Sequence, residues 1–206
     1  MATGWEKIDA SWYFFDASGI NARDVWIYLG GAWYHFDEDG VMQTAWFKDG
    51  NTWYYANGSG AMQTGWLAWG DTWYYFDADG SMAVSGWRNV GGTWYYFDAD
   101  GIMQTGWFKD GETWYYANGS GAMLTGWQFL GGAWFYLGAN GAMVSSDWSY
   151  INGAWYYFDE NGYMLTGWLD LGTEENHQWY YLKASGAMQT GWAYISDSWG
   201  SRYYYF

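Results

Sequence analysis

The sequence predicts an all-β solenoid of about ten stacked β-hairpins, with about three hairpins per superhelical turn. Three observations predict it. The pattern Gly-Trp, six residues, Trp-Tyr-Tyr and then Gly-x-Met recurs along all 206 residues. Turn-forming residues fall inside each repeat at a constant place. The composition lacks an ordinary core: there are 21 Trp and 22 Tyr with no Pro and no Cys, where globular cores are filled largely by Leu, Ile and Val.

The repeats begin at Trp5, Trp26, Trp46, Trp66, Trp87, Trp107, Trp127, Trp148, Trp168 and Trp192, and residues 1–206 are read as a single array. In the first eight a second tryptophan follows seven residues later, as in Trp46 and Trp53. Leading tryptophans are 20 or 21 residues apart until the last interval of 24. The extra residue recurs once in three units, which makes a higher period of 61 residues. Residues 46–66 and 107–127 accordingly differ only at Asn51/Glu112 and Gln63/Leu124. This period is the reason for expecting three hairpins per turn.

Each unit reads as a hairpin. In the third, Asp49-Gly50 is a strong two-residue turn signal. Centring the turn there pairs Phe47 with Thr52 and Trp46 with Trp53. Alternation then puts Tyr55 on the tryptophan face and Tyr54 on the other face, with Phe47. The same arithmetic centres the sixth unit on Asp110-Gly111, the fifth on Val90-Gly91 and the eighth on Ile151-Asn152. In the ninth unit Trp168 and Trp179 are 11 apart, and an insertion of four keeps both on one face where an odd insertion would flip one. In the tenth, Tyr203-Tyr204-Tyr205 takes the place of Trp-Tyr-Tyr, pairing Trp192 with Tyr203 and leaving Trp199 to the turn. Loops such as Asp77-Ala78-Asp79-Gly80 reverse the chain through Gly and Asn conformations. They lead to a Met two residues after Gly in every linker except the first, which has Asn21.

Charge and composition exclude several function classes. A net charge of −15 repels phosphate backbones and anionic lipid, which argues against nucleic acid and membrane partners. No run of 18 apolar residues is present, so no membrane insertion is expected. Without Cys there is neither a disulfide framework nor a Cys-based metal site. The opening Met-Ala-Thr-Gly-Trp enters the first repeat at once and is not a signal peptide, so a secreted parent would have to be represented here by an excised or recombinant segment. Asp37, Asp77, Asp98 and Asp159 recur with the repeat, whereas catalytic carboxylates are unique and sit in dissimilar environments. His35 and His177 have no adjacent nucleophile. No enzyme activity, cofactor or metal is expected. Asp37-Glu38-Asp39-Gly40 and Asp98-Ala99-Asp100-Gly101 look like the start of a calcium loop but lack its bidentate Glu, and read as turns.

The run Gly106-Trp107-Phe108-Lys109-Asp110-Gly111-Glu112-Thr113-Trp114-Tyr115-Tyr116, with Gly121-Ala122-Met123 and Thr125-Gly126-Trp127, resembles the choline-binding, or cell-wall-binding, repeat of Gram-positive surface proteins and lysins. The resemblance covers essentially the whole chain. It implies a hairpin superhelix whose grooves hold choline groups of teichoic acids, and an extracellular, cell-wall-attached location. Glucan-binding repeats share part of the pattern. Val25, Ala45 and Asp147 depart from it by replacing the Gly before the leading Trp, and the second unit reads Trp33-Tyr34-His35.

The resemblance also implies the site chemistry. A quaternary ammonium ion has no N–H to donate, so the faces of two or three aromatic rings must hold it. The expected cages are Trp46, Trp53 and Tyr75; Trp66, Trp73 and Tyr96; Trp87, Trp94 and Tyr116; Trp107, Trp114 and Tyr136; and Trp127, Trp134 and Tyr157. The linker residues Met62, Met82, Met103, Met123 and Met143 are expected to form apolar floors. The first tyrosine of the next unit, such as Tyr74, competes for the third wall. The alternatives are a carbohydrate-binding module, since sugars stack on the same rings, and a structural solenoid that self-associates through unfilled aromatic rows.

Overall fold

The computed structural model describes residues 2–198 and 200–206. Among the described residues twenty strands pair as ten two-stranded antiparallel hairpins joined by loops. The chain divides into two compact units, Met1–Gln104 and Thr105–Phe206. The first holds the hairpins at residues 4–15, 25–36, 45–56, 65–76 and 86–97. The second holds those at 106–117, 126–137, 147–158 and 167–182, and a last one with strands Trp192–Asp197 and Gly200–Tyr205.

The register differs from the expected one by a slide of two residues. In the third hairpin Asp49 pairs with Thr52, Lys48 with Trp53, Phe47 with Tyr54 and Trp46 with Tyr55. The turn is therefore Gly50-Asn51, one residue later than expected. The reason is where positive φ is used. Gly50, at φ 58°, is the first central residue of the turn, as a II′-type turn requires. Gly111, also the first central residue, is at φ 59°. Where two residues take positive φ, as in Gly91-Gly92 and Asn152-Gly153, the turn is again one residue later than expected. A slide of two preserves side-chain parity, so Trp46, Trp53 and Tyr55 share one face and Phe47 and Tyr54 the other. The lengthened units obey the same rule: Trp168 pairs with Tyr181, Asp170 with Trp179, Trp192 with Tyr205 and Tyr194 with Tyr203. The expectation that Trp199 belongs to the last turn lies outside the described residues.

Alternation gives each hairpin a forward and a backward face. On the third, Phe47 and Tyr54 point back to Trp26, with ring centroids 5.8 and 4.9 Å away. Trp46 points forward to Tyr74 and Phe76 of the fourth, at 4.9 and 5.6 Å. The residue after each Tyr-Tyr step forms the core. Phe36, Phe76 and Phe97 in the first unit, and Leu137, Phe158 and Leu182 in the second, are all 0–1% exposed. Burying such a side chain contributes about 1.5–3 kcal/mol, which one isolated hairpin cannot collect.

Linkers tie each hairpin to the one before. Asp98 Oδ1 accepts the N–H groups of Asp100 and Ile102, and Asn118 Oδ1 those of Ser120 and Ala122. The recurrent Asp and Asn residues thus shape loops. The chain then reaches Met, which bridges back to its own hairpin, as Met82 does to Phe76. The Met82 N–H donates to the Trp53 carbonyl at 2.9 Å, and Met62 does the same to Trp33.

Candidate aromatic binding grooves

A groove forms where the forward face of one hairpin meets the backward face of the next. In the first unit one cavity, of about 250 Å³, is lined by Trp46, Trp53, Tyr74, Met82, Ala99 and Asp100. Its two tryptophans meet edge-to-face, with centroids 6.4 Å apart and planes at 88°. An indole edge beside an indole face leaves an open right-angled corner. Tyr74 closes that corner from the next hairpin, 4.9 Å from Trp46. Trp53 is 39% exposed, so the corner opens to solvent. Asp100 arrives from the loop after the fifth hairpin, so three successive units meet at one groove.

Two equivalent cavities are found elsewhere among the described residues. Trp5, Trp12, Tyr34, Met42 and Ser59 line one of about 330 Å³. In the second unit Trp107, Trp114, Phe135 and Met143, with Glu160, Asn161 and Tyr163, line one of about 290 Å³. The first of these lies outside the five expected cages, which were placed at the central grooves. Its Trp-x₆-Trp spacing and the Met42 of the following linker were the signals available for it.

The expected third walls stand elsewhere. Tyr75 is on the forward face of its own hairpin and packs on Trp66 at 5.1 Å, away from Trp46. For the same reason Tyr96 packs on Trp87 at 5.2 Å, Tyr116 on Trp107 at 5.0 Å, Tyr136 on Trp127 at 5.2 Å and Tyr157 on Trp148 at 5.2 Å. The ring that reaches across is the preceding residue. Tyr95 lies 4.8 Å from Trp66, Phe135 4.8 Å from Trp107 and Tyr156 4.8 Å from Trp127. Trp66 with Trp73 and Trp127 with Trp134 make the same edge-to-face corners, each at 6.2 Å. Trp94 is 45% exposed in the first unit. The methionine of each cavity comes from the linker after the next hairpin, so Met82, not Met62, serves Trp46. Met103 and Met164 donate their N–H groups to the Trp73 and Trp134 carbonyls, while Met123 packs against Gly141.

The second hairpin differs in electrostatics. His35 occupies the place of the second tyrosine, 6% exposed, stacked on Phe47 at 5.2 Å and 4.8 Å from Trp26. Burial holds its imidazole below the usual 6.5, against the opposing pull of Asp49, Asp24 and Asp37. Asp49 Oδ2 accepts the Trp26 indole N–H at 2.8 Å. Among the described residues no group of three or more His, Cys, Asp or Glu side chains is arranged to hold a metal ion. No described helix is long and apolar enough to cross a membrane.

The sequence model of the choline-binding repeat matches residues 25–64, 48–85, 84–126 and 144–170. The chain belongs to the choline-binding repeat family. The related cell wall binding repeat matches residues 3–20, 125–143 and 174–188, which fills most of the remainder. The fold agrees with that of solved choline-binding proteins, which are β-hairpin solenoids. CbpJ from Streptococcus pneumoniae TIGR4 is 29% identical, with 97% of this chain and 93% of that chain covered and a TM-score of 0.67. The choline-binding domain of CbpL from the same species is 29% identical over 94% of this chain and 100% of that one, TM-score 0.67. The modular autolysin LytC of Streptococcus pneumoniae, solved with a synthetic peptidoglycan ligand, is 28% identical over 99% of this chain and 47% of its own, TM-score 0.67. No curated protein matches the sequence.

Proposed function

We propose that this choline-binding repeat module is non-catalytic and holds quaternary ammonium groups in the corners between successive hairpins. Its natural ligand is choline carried on teichoic acid at the bacterial cell surface. The single observation behind this reading is the Trp46–Trp53–Tyr74–Met82 corner with the acidic Asp100 among its lining residues. Ring faces attract a cation that has no proton to share, and the nearby carboxylate adds a second attraction without needing a hydrogen bond. Two or three ring contacts give a gross gain of about 3–5 kcal/mol, an affinity on the order of millimolar per groove. Weak sites in series suit a polymer that presents many choline groups, because linkage raises avidity without new contacts.

The test is a titration with choline from about 0.1 to 100 mM, the range that brackets the expected affinity. Tryptophan fluorescence and thermal unfolding are followed, with sodium chloride and dextran as controls. A saturable fluorescence change with a raised melting temperature, absent in salt, is expected. A response to dextran without one to choline replaces this reading with a carbohydrate-binding one. Silence to both leaves a structural solenoid.

A further inference from the structure

Seven basic side chains stand against 22 acidic ones in this chain. Three of the seven share one structural position. Lys7, Lys48 and Lys109 each follow a leading tryptophan by two residues and lie across the ladder from Trp12, Trp53 and Trp114. Each ammonium sits over that second tryptophan, with Nζ 5.9, 4.9 and 5.2 Å from the ring centroid. The position is not inherently basic: it holds Tyr28, Ala68, Asn89, Phe129 and Tyr150 in other hairpins.

A lysine there works against simple cation binding. It repels an incoming ammonium ion and takes part of the attraction of the indole face for itself. In two of the three lysine-bearing grooves an acidic residue is among those lining the cavity, Asp100 with Trp46 and Trp53, and Glu160 with Trp107 and Trp114. The lining of neither cavity includes the lysine, which stands outside against the second tryptophan. Both grooves are therefore bipolar, with an acidic residue at the cavity and an ammonium just beyond it, that of Lys109 lying 3.9 Å from the exposed Glu112 carboxylate. A bare cation uses only half of that arrangement.

We infer that Lys48 and Lys109 make these two grooves selective for choline esterified to phosphate. The quaternary ammonium sits among the rings, and the phosphate one ethylene group away is drawn to the lysine. The inference rests on the binding of choline-type ligands proposed above and adds the anionic half of the ligand. Grooves with Tyr28, Phe129 or Tyr150 at the same position take the ammonium group without regard to the phosphate.

Methyl-¹³C methionine NMR tests this groove by groove in the intact chain. Met82 and Met143 report on the two lysine-bearing grooves. Met164, whose N–H is bonded to the Trp134 carbonyl, reports on a groove with Phe129 at the lysine position. Choline and phosphocholine are titrated separately. Phosphocholine is expected to half-saturate Met82 and Met143 at a concentration about three- to fivefold lower than choline, the scale of an exposed charge pair, with no such preference at Met164. Lys48→Gln should remove the preference at Met82 alone, and Lys109→Gln at Met143 alone, with choline itself binding somewhat more tightly once the competing ammonium is gone. Equal midpoints at Met82 in the unaltered chain, or a preference that survives both substitutions, overturns the lysine role and leaves choline binding standing. No shift at any methyl with either ligand overturns both readings. Glycerophosphocholine and phosphatidylcholine vesicles then separate the sources of the ester. A lysine-dependent shift with the soluble diester alone assigns the polymer-borne form, and one with vesicles assigns a lipid headgroup.

Discussion

Gly80 stands so close to Met62 that a β-carbon on it would fall 2.2 Å from the Met62 sulfur. The bare backbone of one linker lies on the thioether of the linker before it. The same relation joins Gly60 to Met42 in the first unit, and Gly162 to Met143 in the second. The Gly-x-Met signature is thus two halves of one contact, made between successive repeats.

Gly80→Ala is expected to cost about 2–4 kcal/mol, from the strain of an L residue at φ +82° and the displacement of Met62. Gly50→Ala, at φ +58° with open space around its β-carbon, should cost only about 1 kcal/mol. Urea unfolding of both variants checks this, and equal losses would mean that the Met62 contact contributes nothing.

Adjacent tyrosines should separate binding from folding. Tyr74→Ala removes a wall of the Trp46 groove and should weaken choline at the Met82 methyl by about 1–2 kcal/mol. Tyr75 instead packs, with Trp66, against the cluster of Ala83, Phe97 and Met103. Tyr75→Ala should lower stability by about 3 kcal/mol and leave Met82 titrating as before. The reverse result would restore Tyr75 as the third wall.

Phe76, fully buried, backs Trp46 at 5.6 Å and Tyr55 at 6.5 Å. Phe76→Ala should cost about 3–5 kcal/mol in unfolding free energy. It should also loosen Trp46, so that choline affinity falls at Met82 and is kept at Met164. A loss of stability with unchanged Met82 titration would show that the indole holds its place without this support.

His35 makes stability depend on pH. Its folded pKa lies below 6.5, so above that pH both states are neutral and the site costs nothing. As pH falls below 6.5 the unfolded chain takes the proton first, and stability declines until the folded pKa is passed. His35→Tyr, which installs the residue found at Tyr55 and Tyr75, should flatten the fall between about pH 7 and 5. Parallel melting curves for the two proteins across that range would exclude His35 as the cause.

Much of this architecture was legible in the residues. Period, strand alternation and Gly-containing turns delimit ten hairpins, and parity places Trp46, Trp53 and Tyr55 on one face whatever the register. Alternation also held the means to prefer Tyr74, since it puts Tyr55 and Tyr54, and so Tyr75 and Tyr74, on opposite faces. What was lacking was the direction of stacking, which decides the face that meets the neighbour.

The sequence by itself determined the hairpins, their shared aromatic face and the family, because these follow from local backbone preferences and a two-residue side-chain period. Only the tertiary structure decided that Gly50 opens its turn, that Tyr74 and Met82 complete the Trp46 corner, and that Asp100 joins its lining. Those contacts join residues from three successive repeats, and their geometry is set by how one hairpin's core row packs on the next. A repeat motif describes each unit in isolation and carries no record of that packing.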